Sequence, residues 1–131
     1  MQEMGKEPTF GERLRQLRQA KGLTQRELAE RVATLLREED RRGFDFTYLS
    51  KIENDRMRPP SAAAIRQLAA VLNADGDDLL ALAGKVPTDL GDMLKESPAA
   101  RAYFRSAKDM GLSEKQWRDL LEELKKRKGG K

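Results

Sequence analysis

One short stretch of the chain, GFDFTYLSKIENDRMRPPS at residues 43–61, combines side chains that hydrogen-bond with side chains that carry positive charge. A helix that begins after Asp45 would place Leu49 and Ile52 on a narrow apolar stripe. The polar and cationic side chains that lie off this stripe or follow the helix are Thr47, Ser50, Lys51, Asn54, Arg56 and Arg58. Hydroxyl, amide, ammonium and guanidinium groups gathered in this way can bind a polar, negatively charged partner.

The residue types on which enzymes most often rely are missing. The 131 residues include no cysteine and no histidine, which excludes disulfides, thiolate nucleophiles and the commonest general base and metal ligand. Asp75, Asp77 and Asp78 have the spacing of a calcium loop, but Val86 occupies the position of the bidentate glutamate. We therefore interpret these aspartates as a helix cap and first-turn acids, and expect no catalytic site, metal or cofactor.

The charge of the chain is mixed. Charged residues make up 37% of the sequence, yet the formal net charge is only +4, so any nucleic-acid surface depends on where the arginines are placed. No apolar run approaches the ~18 residues that a membrane span requires. The N-terminus, MQEMGKEPTF, has no apolar signal-peptide core. These features predict a cytoplasmic protein without a membrane partner.

Helical periodicity dominates the first 85 residues. Five segments have apolar residues at helical spacing, and none alternates with period two. The predicted N-caps include Thr24, which forms a capping box with Glu27, and Asp45, which precedes the short polar segment. The pattern predicts a compact all-α domain of five short helices over residues 9–85.

Three further helical segments are predicted over residues 86–128, and they present more apolar surface than an isolated piece of this size can bury. The simplest way to cover this apolar surface is a symmetric homodimer, and the alternative is packing on residues 9–85 of the same subunit. The candidate dimerisation residues are Tyr103, Phe104, Trp117, Leu120, Leu121 and Leu124. Disorder is expected for residues 1–8 and for the tail, residues 129–131.

The order of the helices predicts a DNA-binding motif. A helix that begins at Thr24 and Gln25, a connection, and a short helix with one polar face have the order of a helix-turn-helix. In that motif the second helix lies in the major groove and reads base edges from its N-terminal half. Its apolar residues must be confined to one stripe because the opposite face meets DNA instead of the core.

Three stretches support a specific resemblance: FGERLRQLRQAKGLTQRELAERV, TYLSKIENDRMRPPS and IRQLAAVLNADGDDLLALAG. Together they resemble the DNA-binding domain of the XRE-like regulators, the phage Cro and repressor type, over roughly residues 9–85. The combination of GLTQ-x2-LA, YLSKIEN and a following apolar helix carries the likeness. It implies an all-α, five-helix lambda-repressor-like domain, followed here by a short helical C-terminal extension.

One departure from the family pattern is an insertion. The family usually has Gln, three residues, Ala, three residues and Gly, whereas thirteen residues separate Ala29 from Gly43 here. We interpret the ten extra residues, 33–42, as an extension of the second helix towards Glu38 followed by a loop. The insertion contains three arginines that could reach a duplex: Arg37, Arg41 and Arg42.

The resemblance assigns site roles position by position. It places Phe46, Thr47, Ser50 and Lys51 where base edges are read, although Phe46 could instead cover the insertion together with Phe44. The phosphate-binding candidates, including the two from the insertion, are Gln25, Asn54, Arg56, Arg58, Arg41 and Arg42. For Gln25 the alternative is an ordinary exposed helix start.

The resemblance also implies that Arg18 of the first helix pairs with Glu53 of the recognition helix as a structural ion pair. The alternative is two surface charges of little consequence.

These roles predict a bacterial, dimeric repressor that binds a palindromic operator on double-stranded DNA. A different possibility is a protein-binding partner, such as an antitoxin or a factor cleaved by a metallopeptidase. An enzyme is the weakest reading, because no cluster of catalytic side chains is gathered in the sequence.

Overall fold

The computed structural model describes residues 7–129. Most of the two segments expected to be disordered, residues 1–6 and 130–131, therefore lies outside the described residues. Gly129, which was assigned to the disordered tail, is the last residue of the final helix.

Within residues 7–129 the secondary structure consists of nine helices without a strand, which confirms the all-α prediction. The chain divides into two compact units, Met1–Pro87 and Thr88–Lys131. The helices of the first unit are α1 (Phe10–Ala20), α2 (Gln25–Ala33), α3 (Glu38–Arg41), α4 (Phe46–Glu53), α5 (Ala62–Leu72) and α6 (Gly76–Leu82). Those of the second are α7 (Thr88–Glu96), α8 (Pro98–Met110) and α9 (Glu114–Gly129).

Local caps fix where the helices of the first unit begin. Thr24 and Glu27 form the predicted capping box, and its backbone hydrogen bond lowers the pKa of Glu27 below the ordinary value. Asp45 accepts from the Tyr48 amide, and Ser61 caps α5 in the same way. Asp75 accepts from the Asp77 and Asp78 amides, as expected of a cap with first-turn acids.

A single apolar cluster forms the core of the first unit. α2 packs on α4 and α5, α1 packs on α4, and α5 packs on α6. The largest fully buried apolar side chains are Leu14, Leu28, Val32, Leu49, Ile52, Ile65, Leu68, Leu79 and Leu80. Leu49 and Ile52 are the inward apolar residues of α4, which leaves Thr47 and Lys51 on its exposed side.

The prediction that the second helix continues towards Glu38 is wrong. α2 ends at Ala33, and two tight turns, Leu35 N to Val32 O and Leu36 N to Ala33 O, carry the chain away. A continued α2 would place the acidic residues 38–40 at the negative end of its dipole, whereas the structure uses them in the first turn of a new helix. The domain therefore has six helices in its described residues instead of five.

The insertion is anchored to the core at both ends of α3. Leu36 is 5% exposed and Phe44 is 7% exposed, and both belong to the apolar cluster. Gly43 has a φ of +77°, a backbone conformation that favours glycine, and this turn directs the chain into α4. The inserted residues are thus part of the packed domain and not a loose loop.

Gly11 allows α1 to approach the end of α4 closely. A Cβ atom at this position would lie 2.3 Å from the Ile52 carbonyl oxygen and 2.8 Å from that of Glu53. Only glycine avoids this overlap, because the opposing atoms belong to the backbone and cannot rotate away. The contact fixes the position of α4 relative to α1.

The second unit consists of three helices with little buried apolar surface. Arg101 Nη1 donates to the carbonyls of Leu94 at 2.7 Å and Lys95 at 2.8 Å, which joins α8 to the end of α7. Among the described residues of this unit, Ala107 alone is classed as buried.

Candidate nucleic-acid interface

The polar residues of α4 form one outward surface, which we call the recognition face and define as Thr47, Ser50 and Lys51. Thr47 and Lys51 are exposed and Ser50 is half-buried. Leu49, Ile52 and Glu53 occupy the opposite side of the helix at 0–1% exposure. The hydroxyl and ammonium groups of the recognition face can therefore meet a partner without leaving the core uncovered.

Phe44 and Phe46 have different surroundings. Phe44 is buried and packs edge-on against the Tyr48 ring, with centroids 5.5 Å apart. Burial raises the pKa of Tyr48. Phe46 is 40% exposed, and the Arg26 guanidinium carbon lies 4.1 Å from its ring centroid. The two phenylalanines therefore do not share one task, and Phe44 is the one that anchors the insertion.

Glu53 is a buried junction between α1, α2 and α4. Its carboxylate accepts from Arg18 Nε at 2.6 Å and from Arg18 Nη2 at 3.0 Å, so the pair is bidentate. Gln25 Nε2 donates to Glu53 Oε1 at 2.9 Å, and Arg18 Nη1 also donates to the Leu23 carbonyl at 2.8 Å. The structure thus brings Arg18 and Glu53 together and fixes the first turn of α2 against α4.

The contact between Gln25 and Glu53 was not foreseen from the sequence. One Nε2 hydrogen of Gln25 is used inside the domain, which leaves its second amide hydrogen and its carbonyl oxygen for another partner. The pairing depends on the packing of α2 on α4, so no local sequence signal could have revealed it.

Asn54 is also engaged within the domain. Its Oδ1 accepts a hydrogen bond from Arg15 Nη2, and its Nδ2 donates to the Ser50 carbonyl at 2.9 Å. Arg15 Nε additionally lies 3.6 Å from Glu53 Oε1, and sequence reasoning overlooked this arginine. Asn54 caps the end of α4, and only its second Nδ2 hydrogen remains for an external phosphate.

Arg56 and Arg58 are exposed in the connection that follows α4. The Arg56 amide donates to the Lys51 carbonyl at 2.8 Å, which closes the helix end. Asp55 adopts a left-handed conformation with a φ of 58°, and its carboxylate accepts from the Thr9 hydroxyl at 2.8 Å. These bonds give the connection a defined start, and the two arginines follow the recognition face directly.

The arginines of the insertion divide into engaged and exposed groups. Arg41 Nη2 donates to the Leu36 carbonyl at 3.1 Å and so braces the turn before α3. Arg37 lies 3.7 Å from Glu39, in a pair that is exposed on both sides. Arg42 is exposed.

Two features are absent from the part of the chain that the structure describes. No group of acidic, histidine or cysteine side chains there could hold a metal ion. No helix between residues 7 and 129 has the length and apolar character that crossing a bilayer demands.

Comparison with known proteins identifies relatives. Residues 9–82 match the family model described as a helix-turn-helix domain. The HTH-type transcriptional regulator SinR of Bacillus subtilis (strain 168) is 31% identical over 122 residues, which cover 93% of this chain and 97% of SinR. The uncharacterized HTH-type transcriptional regulator RghRB of the same strain is 38% identical over 77 residues, covering 59% of this chain and 48% of that protein. The chain thus spans about half the length of RghRB.

A solved structure is also similar. A chain of the SinR protein/SinI protein complex aligns with 92% of this chain and 99% of its own length, at 29% identity and a TM-score of 0.47.

Proposed function

Because the chain belongs to the XRE-like helix-turn-helix family and is a DNA-binding transcriptional regulator, we propose that it acts as a dimeric repressor of a palindromic operator. The observation that carries this proposal is the outward orientation of the recognition face on a helix whose other side is buried. A short helix with this division of surfaces fits the major groove, where base edges are distinguishable.

The side chains of the recognition face would read base edges directly. Thr47 and Ser50 can each donate or accept a hydrogen bond, and Lys51 can donate to O6 or N7 of guanine. Phe46 has no polar group, so at a base it could contact only a thymine methyl or the sugar. Sequence preference would therefore reside mainly in the three side chains of the recognition face.

A second set of side chains would bind the DNA phosphates. Arg56, Arg58 and Arg42 are exposed and have the charge to neutralise phosphates. Gln25 at the start of α2 offers its second amide hydrogen next to the helix N-terminus, a location that favours anions. Asn54 and Arg41 contribute less, because their side chains already make hydrogen bonds within the domain.

Dimerisation would depend on the second unit. Tyr103, Phe104, Trp117, Leu120, Leu121 and Leu124 line a groove of about 520 Å³ between α8 and α9. Their exposure of up to 64%, at Leu124, is high for aromatic and aliphatic side chains gathered in one place. A second copy bound there would present two recognition helices to half-sites about 34 Å apart.

Selection of bound fragments from a random-sequence DNA pool tests this proposal. We expect an enriched palindrome with half-sites about 10 base pairs apart, and affinity that falls steeply with added salt. Enrichment without any shared sequence would contradict a sequence-specific repressor. A single, non-repeated half-site would contradict the dimer.

A second candidate function is binding to a protein, such as a toxin or a metallopeptidase, and the same groove between α8 and α9 favours it. Such a complex would bury apolar surface, and its affinity should change little with salt, in contrast to DNA binding. Titrating both activities with salt separates the two functions.

A further inference from the structure

Arg26 and Phe46 bring a cation and an aromatic ring together where the first turns of α2 and α4 meet. The Arg26 guanidinium carbon lies 4.1 Å from the Phe46 ring centroid. Arg26 is the second residue of α2, and Phe46 is the first residue of α4. The pair therefore adjoins Thr47 and borders the recognition face.

The N–H donors of Arg26 remain available to a partner. Within residues 7–129, Arg26 makes neither a hydrogen bond nor an ion pair, whereas Arg15, Arg18 and Gln25 donate to Glu53 or Asn54. A cation over a ring interacts with the π system and does not consume the five guanidinium N–H groups. The ring thus holds the charge in place while its donors stay free.

The location of Arg26 works against the stability of its own helix. The first turn of α2 lies at the positive end of the helix dipole, where a cation is unfavourable and an anion is favourable. The contact with Phe46 offsets a cost of similar size, since exposed cation–π pairs and charge–dipole interactions are both weak. An external anion next to Arg26 would add a favourable interaction with both the guanidinium and the helix N-terminus.

Resting on the DNA interface proposed above, we propose that Arg26 is a further DNA-binding residue that binds a backbone phosphate, with Phe46 as its positioning residue. α2 is the helix of the motif that crosses the DNA backbone, so a phosphate is the group within its reach. The role of Phe46 is then to orient the Arg26 guanidinium. This role takes the place of the thymine contact considered above.

Anisotropy titrations with two DNA duplexes test this assignment. One duplex is enriched from a random pool by the wild-type protein, and the other is an unselected duplex of the same length. Arg26→Ala and Arg26→Gln should lower the affinity for both duplexes by the same factor, roughly tenfold. The slope of log affinity against log salt should become shallower by about 0.9. Arg66→Ala, which removes an exposed arginine of α5, is the charge-matched control and should change neither.

The role of Phe46 is tested by coupling. Phe46→Leu should cause a smaller loss of the same kind, and adding it to Arg26→Ala should cause no further loss. Phe46→Tyr keeps the ring and should retain wild-type affinity. Fully additive losses would overturn the positioning role. If Phe46→Leu lowers the affinity only for the selected duplex and changes the base preference, Phe46 contacts a base. That result would also overturn the positioning role.

Lys51→Ala separates this inference from the function on which it rests. If Lys51→Ala lowers the affinity for the selected duplex and Arg26→Ala does not, only the Arg26 assignment is overturned. If the random pool yields no duplex that the wild-type protein binds, the DNA interface itself is overturned, and the assignment with it. The thermal unfolding midpoints of the Arg26 and Phe46 variants should stay close to that of the wild-type protein, because both side chains are exposed.

Discussion

At the scale of single residues, the most informative group is the Glu53 carboxylate. The resemblance to XRE-like regulators implied its pairing with Arg18, and the two residues form a bidentate contact in the structure. The additional contacts from Gln25 and Arg15 could not be predicted, because they link residues far apart in sequence whose proximity arises only from helix packing. A buried carboxylate of this kind requires its partners.

We expect Glu53→Ala to lower the free energy of unfolding by about 3–5 kcal/mol, since it leaves the Arg18 guanidinium without its buried counter-charge. Urea denaturation measures this change. Glu30→Ala, at an exposed position of α2, is the matched control and should stay within about 0.5 kcal/mol of the wild type. Equal effects of the two substitutions would mean that the ion pair is not structural.

Lys51→Ala should cost about 1–3 kcal/mol of binding free energy on the selected duplex and relax the preference at one base pair. The expected loss follows from the exposed position of the ammonium group on the recognition face. Binding assays against duplexes with single base changes measure both effects. An equal loss on unselected DNA would show that Lys51 contacts only phosphate.

At the scale of elements, helix starts were predictable and the insertion was not. Caps such as Thr24, Asp45 and Asp75 are local signals, and each of them begins its helix in the structure. The end of α2 was misjudged because Leu36 has the correct spacing for a longer helix, while it reaches the core through a tight turn instead. Periodicity alone cannot distinguish these two paths to a buried position.

The contact between α1 and α4 can be tested at Gly11. Gly11→Ala should destabilise the protein by about 1–3 kcal/mol, because the added Cβ overlaps the Ile52 carbonyl. Gly91→Ala in α7 is the control, since a Cβ there meets nothing within 4 Å. It should be neutral or stabilising by up to about 1 kcal/mol through helix propensity. Thermal and urea unfolding compare the two, and a harmless Gly11→Ala would contradict the close approach.

The insertion offers a test with two adjacent leucines. Leu36→Ala should lower stability by about 2–5 kcal/mol because Leu36 is 5% exposed and belongs to the core. Leu35→Ala, whose wild-type side chain is 51% exposed, should have an effect within about 0.5 kcal/mol. Similar values for both would indicate that the insertion is a spacer that does not pack.

Replacing all of residues 33–42 by a short turn would remove the Leu36 anchor. The domain would then be less stable, and its affinity for DNA would also change.

At the scale of the whole molecule, the two units differ in how well their apolar residues are covered. The entire apolar cluster of the first unit lies between Phe10 and Ala83, whereas the aromatic and leucine side chains between α8 and α9 stay exposed. Composition and periodicity predicted this excess of apolar surface in the C-terminal region. The partner that covers this surface could not be predicted in the same way, because a symmetric partner leaves no mark on a single sequence.

Removal of residues 88–131 should give a folded monomer, since the first unit keeps its own core. Its affinity for a palindromic duplex should fall by about 10²-fold or more, because the two half-sites are then bound independently. Leu124→Asp in the full chain should have the same effect, as Leu124 lines the groove and is 64% exposed. Sedimentation velocity measures the assembly state. An unchanged sedimentation coefficient for Leu124→Asp would contradict dimerisation through this groove.

The DNA-binding role of the recognition face is tested most directly by following backbone amide resonances while the enriched duplex is added to the 131-residue protein. We expect the amides of Thr47, Ser50 and Lys51 to shift most, together with those of Arg56 and Arg58, while the exposed residues of α5 stay unperturbed. Shifts confined to the second unit, with α4 unchanged, would show that the recognition face does not bind DNA.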